Sequence, residues 1–348
     1  MKSFGSYVFI GLQLMQVSSA AEPKCANADV ECATKAMASH PAAKLSYWQE
    51  ALRKPLTERI AIAPPELLDY IRLDTIKNGL PNRPRISDIN AAFLNDARSA
   101  VMAMPELVRK LISPTLAGIY FVEDIGGTGY TDEIRDANGR AVAGFIVLDP
   151  LVLIQRKAND WITWRENTPF KTSKIAKLIA KIEDPANDTV QNAIQFIALH
   201  EMGHVFSIGR KIHPSWNSQP KEVNVSEYSF LRSSWTRSVA GRFEPRIGSE
   251  FSQRKDVVYY FGAKLTGDQM RDTYSNLAKT DFPTLYSSTN PSDDFAESFA
   301  TYVHTIMLGK PFQVTITVEG AQPYRYVGCW AEVRCAKKRK LLESYLVQ

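Results

Sequence analysis

The stretch Leu199-His200-Glu201-Met202-Gly203-His204-Val205-Phe206 constrains this 348-residue chain more than any other. On a helix, residues i and i+4 leave the same face one turn apart. His200 and His204 therefore aim two imidazole nitrogens at one point, which suits zinc with bonds of about 2.0–2.1 Å to nitrogen. Glu201 follows the first histidine directly, so it lies beside such an ion without ligating it. From there it can take a proton from a water at the metal and return it to a leaving amine. The chain has only five histidines, which makes two of them in this pattern a specific signal. The flanks read as helix: Asn187 and Asp188 are candidate N-caps, Val190, Ala193, Ile194 and Ile197 recur at helical spacing, and Gly209 supplies a stop. Gly203 lowers helix stability by about 1 kcal/mol relative to Ala. Its place between the two histidines predicts a neighbouring segment packed closely against that point.

The two ends of the chain suggest export. Lys2 followed by the mostly apolar Tyr7 to Val17 and then Ser18-Ser19-Ala20-Ala21 has the pattern of a secretory leader, assigned to residues 1–20. That run is too short to span a bilayer, and no later stretch is long and apolar enough, so no transmembrane segment is expected in the mature chain. Cys25 and Cys32 sit near one end and Cys329 and Cys335 near the other. Neither pair has zinc-ribbon spacing, which favours disulfides. Two local loops are the simplest pairing, with a bridge between the two ends as the alternative. The net charge of +5 is spread along the chain and matches no nucleic-acid module. The dense basic run Arg334 to Lys340 reads as the solvated face of a C-terminal helix.

Along the chain, residues 21–115 read as a helical N-terminal region. Helices are expected at Ala42 to Leu56 and Pro65 to Asn78, with turns at Leu80 to Pro84 and Ser113-Pro114. A further helix carrying Ile89, Phe93, Ala97, Val101 and Met104 is expected to be capped by Ser87 or Asp88. The period then changes. Leu116 to Val122 and Ala141 to Leu148 read as strands, with turns at Gly126-Gly127-Thr128-Gly129 and Asn138-Gly139. The glycine cluster lacks the Gly-Lys-Ser/Thr of a phosphate loop and is a turn. Zinc peptidases with a His-Glu-x-x-His helix place a small sheet ahead of it whose edge strand can bind an extended substrate, and the resemblance of this motif to theirs makes Val142 to Leu148, by its order in the chain, the candidate for that edge. A basic helix is expected near Lys171 to Lys181, preceded by Trp161, Trp164 and Phe170. Beyond the histidine helix, a region of about 209–285 reads as an insertion, with Tyr228, Leu231 and Trp235 at helical spacing.

Two histidines do not complete a catalytic zinc site; a third ligand is needed with one position left open. Asp293 and Glu297, at i and i+4 after Asn290-Pro291, share one helix face, so that one ligates while the other holds a ligating histidine.

Together, His200-Glu201-Met202-Gly203-His204 and Asp293-Asp294-Phe295-Ala296-Glu297 resemble the gluzincin metallopeptidases. The nearest likeness is to the catalytic domain of anthrax lethal factor and the Mlc titration factor peptidases. The resemblance implies a zincin-like α+β fold, mainly helical, with a small sheet ahead of the active helix and residues 116–348 as the catalytic domain. It also implies zinc on His200, His204 and Asp293, Glu201 as base, a further glutamate at Glu297 and an oxyanion-stabilising tyrosine at Tyr286. The family's acidic ligand is Glu, one methylene longer than Asp293, so Asp294 and Glu297 stay open as alternatives. Metzincins are excluded, since Ser207 and Arg210 occupy their next glycine and histidine positions.

The expectation is an exported zinc metallopeptidase acting on a protein or peptide substrate. Its rivals are a non-catalytic exported zinc-containing binding module, which has no need of Glu201, and a zinc amidase acting on cell-wall peptides.

Overall fold

A computed structural model describes residues 25–347 apart from residue 27. The leader assigned to residues 1–20 lies outside the described residues. The chain runs α1 (Val30–Ser39), α2 (Leu45–Arg53), β1 (Ile60–Ile62), α3 (Pro65–Lys77), β2 (Arg85–Ile86), α4 (Ala91–Met102), α5 (Glu106–Ile112) and β3 (Leu116–Glu123). It continues through β4 (Gly129–Arg135), β5 (Ala141–Leu148), α6 (Pro150–Leu153), α7 (Ala158–Asn167), β6 (Ala176–Lys181) and α8 (Val190–Ser207). The last part holds α9 (Leu231–Ser234), β7 (Trp235–Arg237), β8 (Phe243–Pro245), α10 (Met270–Leu277), α11 (Pro291–Tyr302), β9 (Gln313–Val318), β10 (Tyr324–Val327) and α12 (Ala336–Leu346). The fold is thus mixed α+β.

The main sheet has the order β1-β3-β5-β4, with β2 pairing the end of β3. Strands β1, β3 and β5 are parallel, and β4 returns antiparallel along β5. All eight residues of β3 are buried, as expected of a strand covered on both faces. Its side chains alternate between two cores. Ala117, Tyr120 and Val122 pack under α1–α3, while Ile119 and Phe121 join the core around α4 and α8. The helical first third therefore contributes β1 and β2 to the sheet and roofs one of its faces. A second sheet, β10-β9-β6, is fully antiparallel.

Several local expectations are corrected. The edge of the main sheet on the side of α8 is β4; β5, which contains Val142 to Leu148, lies between β3 and β4. Lys177 to Lys181 belong to strand β6, where Ala176, Leu178 and Ala180 face the core and the intervening residues face out. Asn90 caps α4 in place of Ser87 or Asp88, its side chain accepting from Phe93 N at 3.0 Å. Thr189 caps α8 in place of Asn187 or Asp188. The expected helix of Tyr228, Leu231 and Trp235 shrinks to the single turn α9, and Trp235 opens β7. Lys338, within the basic run, is buried rather than solvated. The disulfides are the two local ones, Cys25–Cys32 and Cys329–Cys335. Among the described residues, no helix is long and apolar enough to cross a membrane.

What positions the site is the crossing of α8 and α11. A Cβ built on Gly203 would lie 2.8 Å from Ala296 Cα and 3.2 Å from Ala296 O, so the two backbones touch where the glycine has no side chain. The stop also holds: Gly209, at φ +71°, takes the left-handed turn that ends α8. In Gly203→Ala the methyl meets backbone that cannot swing aside. The gain in helix propensity of about 1 kcal/mol is smaller than an overpacking strain of about 1–3 kcal/mol plus the loss of the close approach. Gly203→Ala is therefore expected to lower stability by about 1–2 kcal/mol in denaturant unfolding; a variant as stable as wild type would show that the helices can separate freely.

Candidate metal centre

Helix α11 starts with Pro291 at its first turn and Asn290 as cap, the Asn290 carboxamide oxygen accepting from Asp293 N at 3.0 Å. This start aims Asp293 at α8. Asp293 Oδ1 lies 3.5 Å from His204 Nε2 and 3.8 Å from His200 Nε2, and the three ligand atoms fall within 4.8 Å of one another. A tetrahedral ion with bonds of about 2.0–2.1 Å spaces its ligands by about 3.4 Å, so the two distances from Asp293 Oδ1 come close to that spacing and the set as a whole closes inward to hold such an ion. The other carboxylate oxygen, Oδ2, accepts from Asn290 Nδ2 at 2.6 Å and Thr289 Oγ1 at 3.2 Å, which leaves Oδ1 for the ion. His204 Nδ1 is buried without a hydrogen-bond partner among the described residues. Two imidazoles and one carboxylate are borderline-to-hard donors suited to zinc, and three ligands leave a position open.

The alternatives to Asp293 are occupied elsewhere. Asp294 accepts from Lys338 Nζ at 2.6 and 2.8 Å and from Trp235 Nε1 at 2.9 Å, deep in the protein. Glu297 accepts from His200 Nδ1 at 2.8 Å. That bond keeps the proton on Nδ1 and presents the Nε2 lone pair to the metal position.

Glu297 is itself held by a residue the sequence did not flag. Arg165, on α7, donates to both of its oxygens at 2.8 and 3.1 Å, and Thr284 Oγ1 donates at 2.7 Å. Arg165 also reaches Glu166 at 2.8 and 3.0 Å, and Glu166 accepts from Tyr259 at 2.9 Å and Tyr274 at 2.6 Å. Burial pushes the Glu297 carboxyl up, but the Arg165 charge and the His200 bond outweigh it and bring the group down to about 2. Glu297 is thus a fixed anion behind His200. The sequence carries no signal for this role, because Arg165 is one basic residue among many and its partner Glu297 is 132 positions away.

Tyr286 lies in the turn ahead of α11, its ring 5.5 Å from that of His200 and 4.6 Å from that of Tyr259. Burial, followed by the Asp293 charge, pushes its hydroxyl well above the ordinary tyrosine value, so it remains a donor at neutral pH. Glu201 faces the sheet. Thr131 Oγ1, on β4, lies 2.8 Å from Glu201 Oε2 and 3.1 Å from Glu201 O.

His200, Glu201, Arg165 and Tyr286 line a cleft of about 360 Å³ whose walls also include Thr131, Trp216, Tyr260 and Asp74. A neighbouring cavity of about 690 Å³ shares Lys77, Asp132 and Asn217 with it and runs on to α2 and the β4–β5 turn. Tyr260 holds a left-handed backbone at φ +66°, a strained conformation for a tyrosine, at the cleft wall. No known protein-family model matches the chain, nor does any curated protein or any solved structure.

The cleft wall carries a pH-sensitive group. Burial, and then the neighbouring Asp132 charge, raises Asp74 to about 6. An acid raised above its unfolded value of about 3.9 weakens the fold as it ionises. The penalty is absent below about pH 4 and grows as the pH rises through about 6. Asp74→Asn is therefore expected to add on the order of 2 kcal/mol at pH 8 and nothing at pH 4 in urea unfolding. An equal effect at both values would show that Asp74 is solvated.

Proposed function

We propose that the protein is an exported zinc metallopeptidase of the zincin type. The observation that carries the reading is the convergence of His200 Nε2, His204 Nε2 and Asp293 Oδ1 on one point, with Glu201 beside it on the same helix. When bound, zinc supplies Lewis acidity to the scissile carbonyl and acidity to its water. The chain's own residues do the rest. The Glu201 carboxylate takes the proton of the attacking water and passes it to the leaving nitrogen. The Tyr286 hydroxyl, held protonated, donates to the carbonyl oxygen as negative charge develops there. Glu297 fixes the tautomer of His200. The edge of β4 is bridged by Lys44 at Arg135, but its Gly129 to Asp132 part lies against the cleft and offers main-chain groups to an extended peptide, in place of the strand expected from the sequence. Two disulfides fit export to an oxidising compartment.

Glu201→Gln is the decisive variant, because it keeps the size of the side chain and removes the base. It is expected to retain one equivalent of zinc by metal analysis and to lose about 10²–10⁴-fold in cleavage of an unstructured peptide library. Cleavage at the wild-type rate would overturn the peptidase reading.

A further inference from the structure

The hydroxyl of Thr131 ties the edge strand to the side chain placed as the base, and nothing in the motif itself requires such a tie. Both atoms in its reach, Glu201 Oε2 at 2.8 Å and Glu201 O at 3.1 Å, are acceptors, so the single hydroxyl proton is donated toward Glu201. Among the described residues, Oε2 is the only carboxylate oxygen of Glu201 that accepts a side-chain hydrogen bond, so Oε1 is held by no side chain while Glu201 lines the cleft. Thr131 is buried and the bond is shielded from competing water.

The strand's register makes the tie specific. Thr131 pairs with Ile146 of β5, and its neighbours Tyr130 and Asp132 point to the opposite face, where Tyr70 of α3 donates to Asp132 at 2.7 Å. A slip by one residue would set Tyr130 or Asp132 against Glu201 and bring an aromatic ring or a like charge to the base. The helix side is fixed as well. A Cβ built on Gly144 of β5 would lie 2.8 Å from Ile208 Cδ1 and 3.4 Å from Val205 Cγ2, so α8 rests directly on the sheet.

Resting on the metallopeptidase reading, we infer that Thr131 is a positioning residue. Its hydroxyl holds the Glu201 carboxylate in one rotamer with Oε1 aimed at the attacking water, and so couples the substrate-binding strand to proton transfer. The inference concerns orientation only: the Thr131 hydroxyl acts through Glu201, the residue it bonds.

Thr131→Val keeps the shape and the strand preference of the residue and removes the donor. A hydrogen bond to a charged group corresponds to about 10–100-fold in rate, so kcat is expected to fall by that factor with KM within about threefold of wild type. Zinc affinity, read by chelator competition, is expected to be unchanged. Binding of a peptide hydroxamate, which chelates zinc and donates to the base, is expected to weaken about tenfold. Thr131→Ser should restore both kcat and hydroxamate binding. The assignment is overturned if Thr131→Val matches wild type in kcat and hydroxamate binding. It is also overturned if the valine variant loses zinc or stability and serine does not rescue it, which would make Thr131 a packing residue. A wild-type protein that hydrolyses no peptide would instead sink the peptidase reading, whereas an active wild type with an unaffected valine variant sinks this inference alone.

Discussion

The contact of Gly203 with Ala296 is the constraint on which the rest of the structure depends. Helices normally cross with 8–10 Å between axes, set by the side chains in between. Here one side chain is absent and the other is a methyl, and the Gly203 Cα faces the Ala296 backbone. That approach brings a carboxylate from the first turn of α11 within reach of two imidazoles on α8. Phe206, Phe295 and Phe299 pack around the crossing with ring centroids 5.5–6.3 Å apart, so apolar packing holds the two helices together there. The crossing thus keeps His200, His204 and Asp293, a group that could hold a metal ion, within 4.8 Å of one another.

Behind the metal position lies a buried run of alternating charge, Glu166–Arg165–Glu297, ending on His200. Two buried carboxylates and one guanidinium leave an excess negative charge there, which the hydroxyls of Tyr259, Tyr274 and Thr284 solvate in place of water. Removing one partner of such a pair leaves an uncompensated buried charge at about 3–5 kcal/mol, so the arrangement persists only because every oxygen is satisfied. An excess anion behind a ligating imidazole also favours a cation in front of it. The Lys338–Asp294 pair uses the same logic on the other flank of α11: it occupies the carboxylate next to Asp293 and anchors α12 to the helix that carries Asp293.

Much of this was legible because helical spacing writes itself into the chain. Helices α3 and α8 and the acidic pair Asp293 and Glu297 follow from i, i+4 arithmetic, and the local disulfides follow from short cysteine separations. The strands were harder. At and just before β6 the lysines at positions 174, 177 and 181 have helical spacing, while burial of Ala176, Leu178 and Ala180 has a period of two; only tertiary pairing with β9 decides between them. Strand β4 hid between two glycine-bearing turns, and Asp132-Glu133 gave it the polarity of a loop, although Tyr130, Thr131 and Ile134 favour strand. Missing β4 shifted the sheet edge onto β5 and concealed Thr131. Arg165 and Lys338 were illegible for another reason. Their partners Glu297 and Asp294 are far away in sequence, and a basic residue on a helix is ordinarily solvated.

The central claim is that α8 and α11 together hold one metal ion through two imidazoles and one carboxylate. Zinc X-ray absorption on the full chain loaded with one equivalent of metal tests it most directly. The account predicts a four-coordinate ion with nitrogen and oxygen neighbours at about 2.0–2.1 Å, including the multiple-scattering signature of two imidazoles. Zinc that dialyses away, or a bound ion showing sulfur neighbours or no imidazole scattering, would contradict it.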